Sequence, residues 1–434
     1  MVQVNPSARR SYQDSTIHRS VLDNGIVVLA VENPAADIIA GRIFIRAGSC
    51  WELPVQAGLS HLLSAVLTKG TEQLSSMEIA DRVESVGASL GASAATDYFQ
   101  LSLKTVSADF ADILHLAGQL LLAPTFPEAE VELERRLTLQ EIRSQQEQPS
   151  TIAFEQLRQA MYQQHPYAFS SLGTEATVQN LSRADLQRFH QTYFRPDNVV
   201  ISVAGRLTAE DAVKLVSEVF GDWQSPDRSL PLLTLPAVTP QPCQSVTAQE
   251  TQQSMVMLGY LASSVRSADF ATLKLLNTYL GNGLSSRLFV ELREKRGLAY
   301  EVSAFYPTRL DTSNFVVYMG TAPENTALAV EGLRAEVDRL CTTQLSSDEL
   351  QSCKNKLLGQ YALGKQTNSQ LAQVFGWYET LGLGIEFDTR FQEQVSNVTP
   401  EMAQQAACRY FIEPYLSLVG PEKAVNALVA PAVC

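Results

Sequence analysis

The sequence predicts an α+β protein of two homologous α/β domains, each a mostly antiparallel sheet with helices packed on it, joined by a linker. Three observations predict it. A chain of 434 residues is too long for one ordinary core. A stretch near the middle, 224–243, carries Pro226, Pro231, Pro236, Pro240 and Pro242, and so many fixed φ angles and missing N–H donors suit an extended connector. The order of strand-like and helix-like segments before that stretch is repeated after it. The expected boundaries are therefore 1–223, 224–243 and 244–434.

The repeat can be followed element by element. Residues 42–47 (RIFIRA) read as a strand, and the next segment places Leu59, Leu62, Leu63, Val66 and Leu67 on one helical stripe. Their counterparts are 255–260 (MVMLGY) and a helix over 268–280 with Leu273, Leu276 and Leu280. The alternating segment 97–105 and a helix over 109–122 match 313–320 and a helix over 324–340. Each half ends alike: a helix over 181–194 and the strand 199–205 answer a helix over 398–411 and the strand 415–420. Asn24-Gly25 between short apolar runs predicts an opening hairpin turn.

Composition narrows the function. Hydrophobic residues are 45% and charged residues 18%, a folded and soluble balance, and the formal net charge is −13. No basic stripe is available to neutralise phosphates, so nucleic acid is not an expected partner. The N-terminal twenty residues are polar, without an apolar stretch of signal-peptide length, and no uncharged apolar run approaches the roughly 20 residues that span a bilayer. The six cysteines, at 50, 243, 341, 353, 408 and 434, form no CxxC pair. Reduced thiols and a cytoplasmic location are the expectation.

Chemistry is expected on the first long helix. Residues 58–71 read GLSHLLSAVLTKGT. This segment resembles the metal-binding helix of the pitrilysin/insulinase zinc peptidases, a family that includes mitochondrial processing peptidase. Family members carry His-x-x-Glu-His there, because histidines at i and i+4 share one helical face and the glutamate between them polarises the attacking water. Here His61 matches the first ligand, but Ser64 stands where the base belongs and Ala65 where the second histidine belongs. At the family's spacing Glu141 matches the third ligand, and Glu134, on the same face, a second acidic position. Catalytic zinc normally has three protein ligands and an open fourth position. Two ligands without a base form a vestigial site, so no metal is expected on this chain. The competing readings are a partly buried helical histidine for His61 and a solvated helix face for Glu134 and Glu141. Ser64 as a serine nucleophile has little behind it: no GxSxG surrounds it.

The second half keeps more. Residues 280–306 (LGNGLSSRLFVELREKRGLAYEVSAFY) resemble the family's C-terminal-domain segment, in which an arginine and a tyrosine seven residues apart bind the substrate carbonyl and the oxyanion; here they are Arg293 and Tyr300. The alternative is that Arg293 pairs with its charged neighbours and Tyr300 packs on the core. Gly281 and Gly283 resemble the glycine-rich loop of the non-catalytic subunit of mitochondrial processing peptidase, and serve either a turn or peptide contact. Ala92, Ser93, Ala94, Ala95 and Thr96 stand where the family has its substrate-binding edge strand, and strand addition survives such changes because its hydrogen bonds belong to the main chain. His165-Pro166-Tyr167 with Gly173-Thr174, and Tyr193 to Pro196 with Asn198, extend the resemblance over nearly the whole chain, from Tyr12 to Pro421.

The resemblance implies a clamshell arrangement and half of a divided active site. On this reading the chain is no enzyme alone. It is the non-catalytic subunit of a heterodimer, with zinc in a homologous partner bearing the intact motif and with extended peptides as substrates. The alternatives are a stand-alone peptide-binding or scaffold protein, with a homodimer left open, and a metal-dependent activity of this chain by itself.

Overall fold

The computed structural model describes residues 17–426 and 428, so the polar N-terminus up to Thr16 and Cys434 lie outside the described residues. Two sheets organise the chain. The first holds β1 (Ile17–Val21), β2 (Val27–Glu32), β3 (Ile38–Ile45), β4 (Ser89–Ala94), β5 (Phe99–Val106) and β6 (Val199–Gly205) in the order β1-β2-β6-β3-β5-β4. The second holds β7 (Gln244–Ala248), β8 (Ser254–Ala262), β9 (Glu301–Phe305), β10 (Ser313–Thr321) and β11 (Tyr415–Gly420) in the order β7-β11-β8-β10-β9. Once β1 is set aside, the two orders are the same. The senses agree too: β2 with β6 and β7 with β11 are the parallel pairs, and the remaining pairs are antiparallel. The repeat read from the sequence is thus a repeat of topology.

Local chemistry explains the elements. Asn24-Gly25 does turn β1 into β2, with Gly25 at φ 96°. Strand β5 alternates buried and outward residues, as one buried face requires, whereas β6 is buried throughout. Residues 224–243 form neither helix nor strand.

The halves are held by more than the linker. Helix Pro149–Tyr162 of the first half packs on β7, β8 and β11 of the second, and helix Asn368–Thr380 of the second packs on β2, β3 and β6 of the first. Glycines make both seats close. A Cβ on Gly376 would lie 2.4 Å from the Phe44 ring and 2.8 Å from Ser202 Cβ; one on Gly259 would lie 2.8 Å from Met161 Sδ. Polar bonds fix the register: Arg19 with Glu379 at 2.8 Å, Asn368 Nδ2 to the Ile38 carbonyl at 2.7 Å, and Tyr162 OH to the Thr312 carbonyl at 3.1 Å. The core of the second half accordingly continues into Val27, Leu29, Phe44 and Val200 of the first.

Cysteine chemistry departs from expectation. Cys243 is disulfide-bonded, so the thiols are not all reduced, while Cys50, Cys341, Cys353 and Cys408 are free. No helix among the described residues is long and apolar enough to cross a membrane.

Candidate active site

Helix Leu59–Val66 buries Leu59, Leu62, Leu63 and Val66 and turns His61 toward helix Glu128–Gln146. The first helix is built without a capping side chain of its own. Gly58, at φ 96°, occupies the N-cap, and Glu52 supplies the missing acceptor, taking the Gly58 and Ser60 N–H groups at 2.8 and 2.6 Å. Burial pushes the Glu52 carboxyl up to about 7, against the pull of those N–H bonds. Sequence reading missed Glu52. The available signal was a carboxylate just ahead of an apolar helix that has glycine where Ser, Thr, Asp or Asn would cap.

The helices that carry His61, Glu134 and Glu141 pack together. His61 is half-buried, and burial holds its imidazole below the usual range although Glu141 and Glu134 pull the other way. Ser64 is 7% exposed and donates its hydroxyl to the His61 carbonyl at 2.7 Å, a helix-internal bond that turns it from any substrate. Ala65 offers no donor. Glu134 is taken by Lys69 at 3.0 Å, and the exposed Glu141 accepts from Gln145 at 3.3 Å. Among the described residues no three His, Cys, Asp or Glu side chains are arranged to hold a metal ion. This donor set does not fit a catalytic zinc, which needs a third ligand and a base.

The second-half segment is arranged differently. Regular helix starts only at Arg287, and Phe289–Lys295 is a π-helix, a form found disproportionately at functional sites. Arg293 lies within it, exposed, its guanidinium 5.0 Å from the Phe289 ring centroid. The neighbouring carboxylate is already engaged: Glu291 pairs with Arg287 at 2.9 Å and Lys295 at 2.8 Å. Among the described residues Arg293 has no ion-pair partner. The reading in which it pairs with its neighbours thus finds no ion pair behind it among the described residues. The chain then reverses at Gly297 (φ 63°), where the Leu298 N–H reaches the Leu292 carbonyl at 2.9 Å. This brings Tyr300 to the head of β9, its N–H on the Gly320 carbonyl. Tyr300 is 63% exposed and so is not packed on the core. It opens on a cavity of about 550 Å³ shared with Gln252, Gln253 and Pro149, the last from the first half. Among the described residues no hydrogen bond or ion pair joins Arg293 or Tyr300 to His61, Glu134 or Glu141.

The other predicted contacts divide. Ala92, Ser93 and Ala94 lie in β4, the sheet's outermost strand, which among the described residues pairs only with β5. Ala95 and Thr96 lie beyond it, and their carbonyls accept from Ser49 and Cys50. Gly281 is buried: its place exists because a Cβ would lie 1.9 Å from the Ala304 nitrogen, so it serves packing and offers no surface to a peptide. Gly283 makes a turn at φ 80°, and Lys356 binds the Asn282 carbonyl beside it. His165 and Tyr167 tie the halves together: Tyr167 OH donates to Asp97 at 2.7 Å and accepts from the Asp311 N–H at 3.4 Å.

Comparison with known proteins identifies the family. Residues 27–175 match the model of the insulinase family of M16 peptidases, and residues 180–357 match that of the peptidase M16 inactive domain. The uncharacterized zinc protease YmxG of Bacillus subtilis is 28% identical over 407 residues, 93% of this chain and 98% of that protein. Among solved structures, a protease from Helicobacter pylori superposes with a TM-score of 0.87 at 23% identity, covering 94% of this chain and 99% of that one. A peptidase M16 inactive domain from Pseudomonas fluorescens gives 0.87 at 24%, covering 93% and 98%. With matches to both domain models that together span more than half of its length, the chain belongs to the M16 (insulinase) peptidase family.

Proposed function

We propose that this chain is the non-catalytic subunit of a heterodimeric zinc metallopeptidase. It binds extended peptides and lends Arg293 and Tyr300 to an active site whose metal and base belong to a homologous chain with an intact His-x-x-Glu-His. The observation that carries this reading is the pair itself. An arginine with no ion-pair partner among the described residues and a phenol 63% exposed flank the reversal at Gly297, in a chain whose own helix Leu59–Val66 carries Ser64 and Ala65 in place of the base and second ligand. Arg293 offers a permanent cation with several N–H donors, and Tyr300 one O–H donor. Both suit an amide carbonyl whose oxygen gains charge as water attacks.

One feature supports the peptide-binding part of the reading. The outer edge of β4 at Ala92, Ser93 and Ala94 is free for an added peptide strand among the described residues. The proposed location is the cytoplasm, on the four free thiols; the bonded Cys243 is the one observation against it.

The test is capture of the tagged chain from its own cells, followed by peptide cleavage with and without chelator. Recovery of a similar-sized homologue with chelator-sensitive cleavage supports the proposal. Recovery of the chain alone and inactive transfers the case to a stand-alone peptide-binding protein.

A further inference from the structure

Two thiols that the candidate site does not use meet between helices of the second half. Cys341 lies in the last turn of helix Thr326–Thr342, and Cys408 lies in helix Pro400–Tyr410, which packs beside it. The Cys341 carbonyl accepts from Cys408 Sγ at 3.4 Å and from Gln404 Nε2, one turn earlier on the same helix, at 3.0 Å. Gln404 also accepts from Gln344 at 3.1 Å, so the two helix ends are held in register. Cys408 is exposed and Cys341 half-buried, and burial beside the second thiol pushes Cys341 up to about 12. The other free cysteines differ: Cys50 is buried against Asp97, and Cys353 is buried in helix Ser347–Leu363.

A disulfide forms only where two Cα atoms are within about 7 Å and the side chains converge. A sulfur that already lies 3.4 Å from its neighbour's carbonyl oxygen, between two packed helices, needs side-chain rotation rather than movement of either helix. We propose that Cys341 and Cys408 are a redox-convertible pair that a hydroperoxide closes to an intramolecular disulfide. The accessible Cys408 reacts first, as its thiolate: the sulfur attacks the peroxide, an S–O bond forms, the O–O bond breaks, and the departing oxygen leaves as water. The Cys341 sulfur then attacks the sulfenic acid; the S–S bond forms, the S–O bond breaks, and the hydroxyl leaves with the Cys341 proton as a second water. Two thiols are oxidised by two electrons, and one hydrogen peroxide is reduced to two waters.

The bond would brace a particular helix. Thr326–Thr342 backs the arginine-bearing turn: Glu336 pairs with Arg287 at 2.7 Å, and Gly332 lies where a Cβ would be 2.9 Å from Leu292 and 3.1 Å from Arg296. Closure of the pair does not depend on the peptidase reading, only its consequence for Arg293 does.

The test is peptide mapping of the full chain, alkylated and digested without reductant after treatment with equimolar hydrogen peroxide. The expected result is a peptide joining residues 341 and 408 that disappears with dithiothreitol and is lost completely in Cys408→Ser. In Cys341→Ser the map should instead show Cys408 as a sulfenic acid trapped by dimedone. Recovery of both cysteines alkylated after oxidation, over-oxidation of Cys408 with Cys341 untouched, or linkage only between two chains would each overturn the proposal, and the wild-type map alone can return any of them.

Discussion

Strands β4 and β9 hold the same place at the ends of equivalent sheets, and among the described residues each pairs with one strand, but the two are tied to their flanking helices differently. In β9 the Ser303 hydroxyl bonds the Gly281 carbonyl at 2.7 Å, and the absent Gly281 side chain lets helix Phe270–Gly281 end against the Ala304 nitrogen. Strand β4 has a helix beside it too, Leu59–Val66, but among the described residues no hydrogen bond joins the two. The chemistry differs as well. The half whose edge strand is not bonded to its helix holds no three-donor set around His61 among the described residues, and the half whose edge strand is bonded presents Arg293 and Tyr300. A duplicated fold has thus separated groups that can stabilise charge from the helix that carries His61.

The largest expected effect tests that separation directly. In the reconstituted pair, Arg293→Ala or Tyr300→Phe should lower kcat about 10²–10³-fold, the scale of losing one oxyanion donor, or about 3–4 kcal/mol. His61→Ala should leave kcat unchanged, because no metal chemistry is assigned to it. Steady-state kinetics on the three variants decides the matter; a loss in His61→Ala equal to that in Arg293→Ala would erase the contrast between the halves.

How much of this was legible in the sequence follows from range. Periodicity and the proline run disclosed the repeat, because stripe spacing and missing N–H donors are local properties. Ser64 and Ala65 were readable as losses because ligand geometry on a helix is a matter of i and i+4. The exchange of helices Pro149–Tyr162 and Asn368–Thr380 was not readable, since each has an ordinary apolar face and nothing in its own residues says whose sheet receives it. Glu52 was missed for the same reason: its bond to the helix start depends on a loop that folds back. Gly281 stayed open between a turn and peptide contact because a glycine needed for close packing and one needed for flexibility look alike in sequence.

Acid should act on the first half, which holds all five histidines. His190 is buried, with Nε2 2.8 Å from the Leu121 carbonyl, and burial lowers its pKa to about 4. A histidine whose folded value lies below the unfolded 6.5 contributes stability that is complete above that value and lost as pH falls toward 4. Urea titrations of wild type and His190→Gln should therefore diverge by at most about 3 kcal/mol between pH 7 and 4, with wild type losing more. Glu52→Gln should show the reverse sign. The wild-type carboxyl, raised to about 7, contributes stability that is complete below pH 4.5 and fades as pH rises through 7. Curves parallel to wild type in both variants would remove acid as a means of telling the halves apart.

The exchanged helices allow a smaller comparison. Gly376→Ala forces a methyl into the Phe44 ring and Ser202, neither of which is a flexible chain end, and should cost about 2 kcal/mol. Gly259→Ala meets Met161 Sδ and Leu157, which can swing, and should cost about 1 kcal/mol. Thermal or urea unfolding measures both. Equal costs would mean that the two seats yield equally and that neither half is the more rigid host.

The smallest effect probes what is left of the metal site. Lys69 holds Glu134 at 3.0 Å with both side chains partly exposed, so Lys69→Met should change stability by about 0.5 kcal/mol or less. The informative readout is His61. Its pKa is held down by burial and raised by Glu141 and Glu134, and removing the ammonium leaves the Glu134 charge uncompensated. Imidazole resonances of His61 should then titrate at higher pH in Lys69→Met and at lower pH in Glu134→Gln. A His61 titration indifferent to both would mean that Glu134 does not act on the histidine. The first half would then retain still less of a metal site, while the Arg293 and Tyr300 turn of the second half would still present its donors.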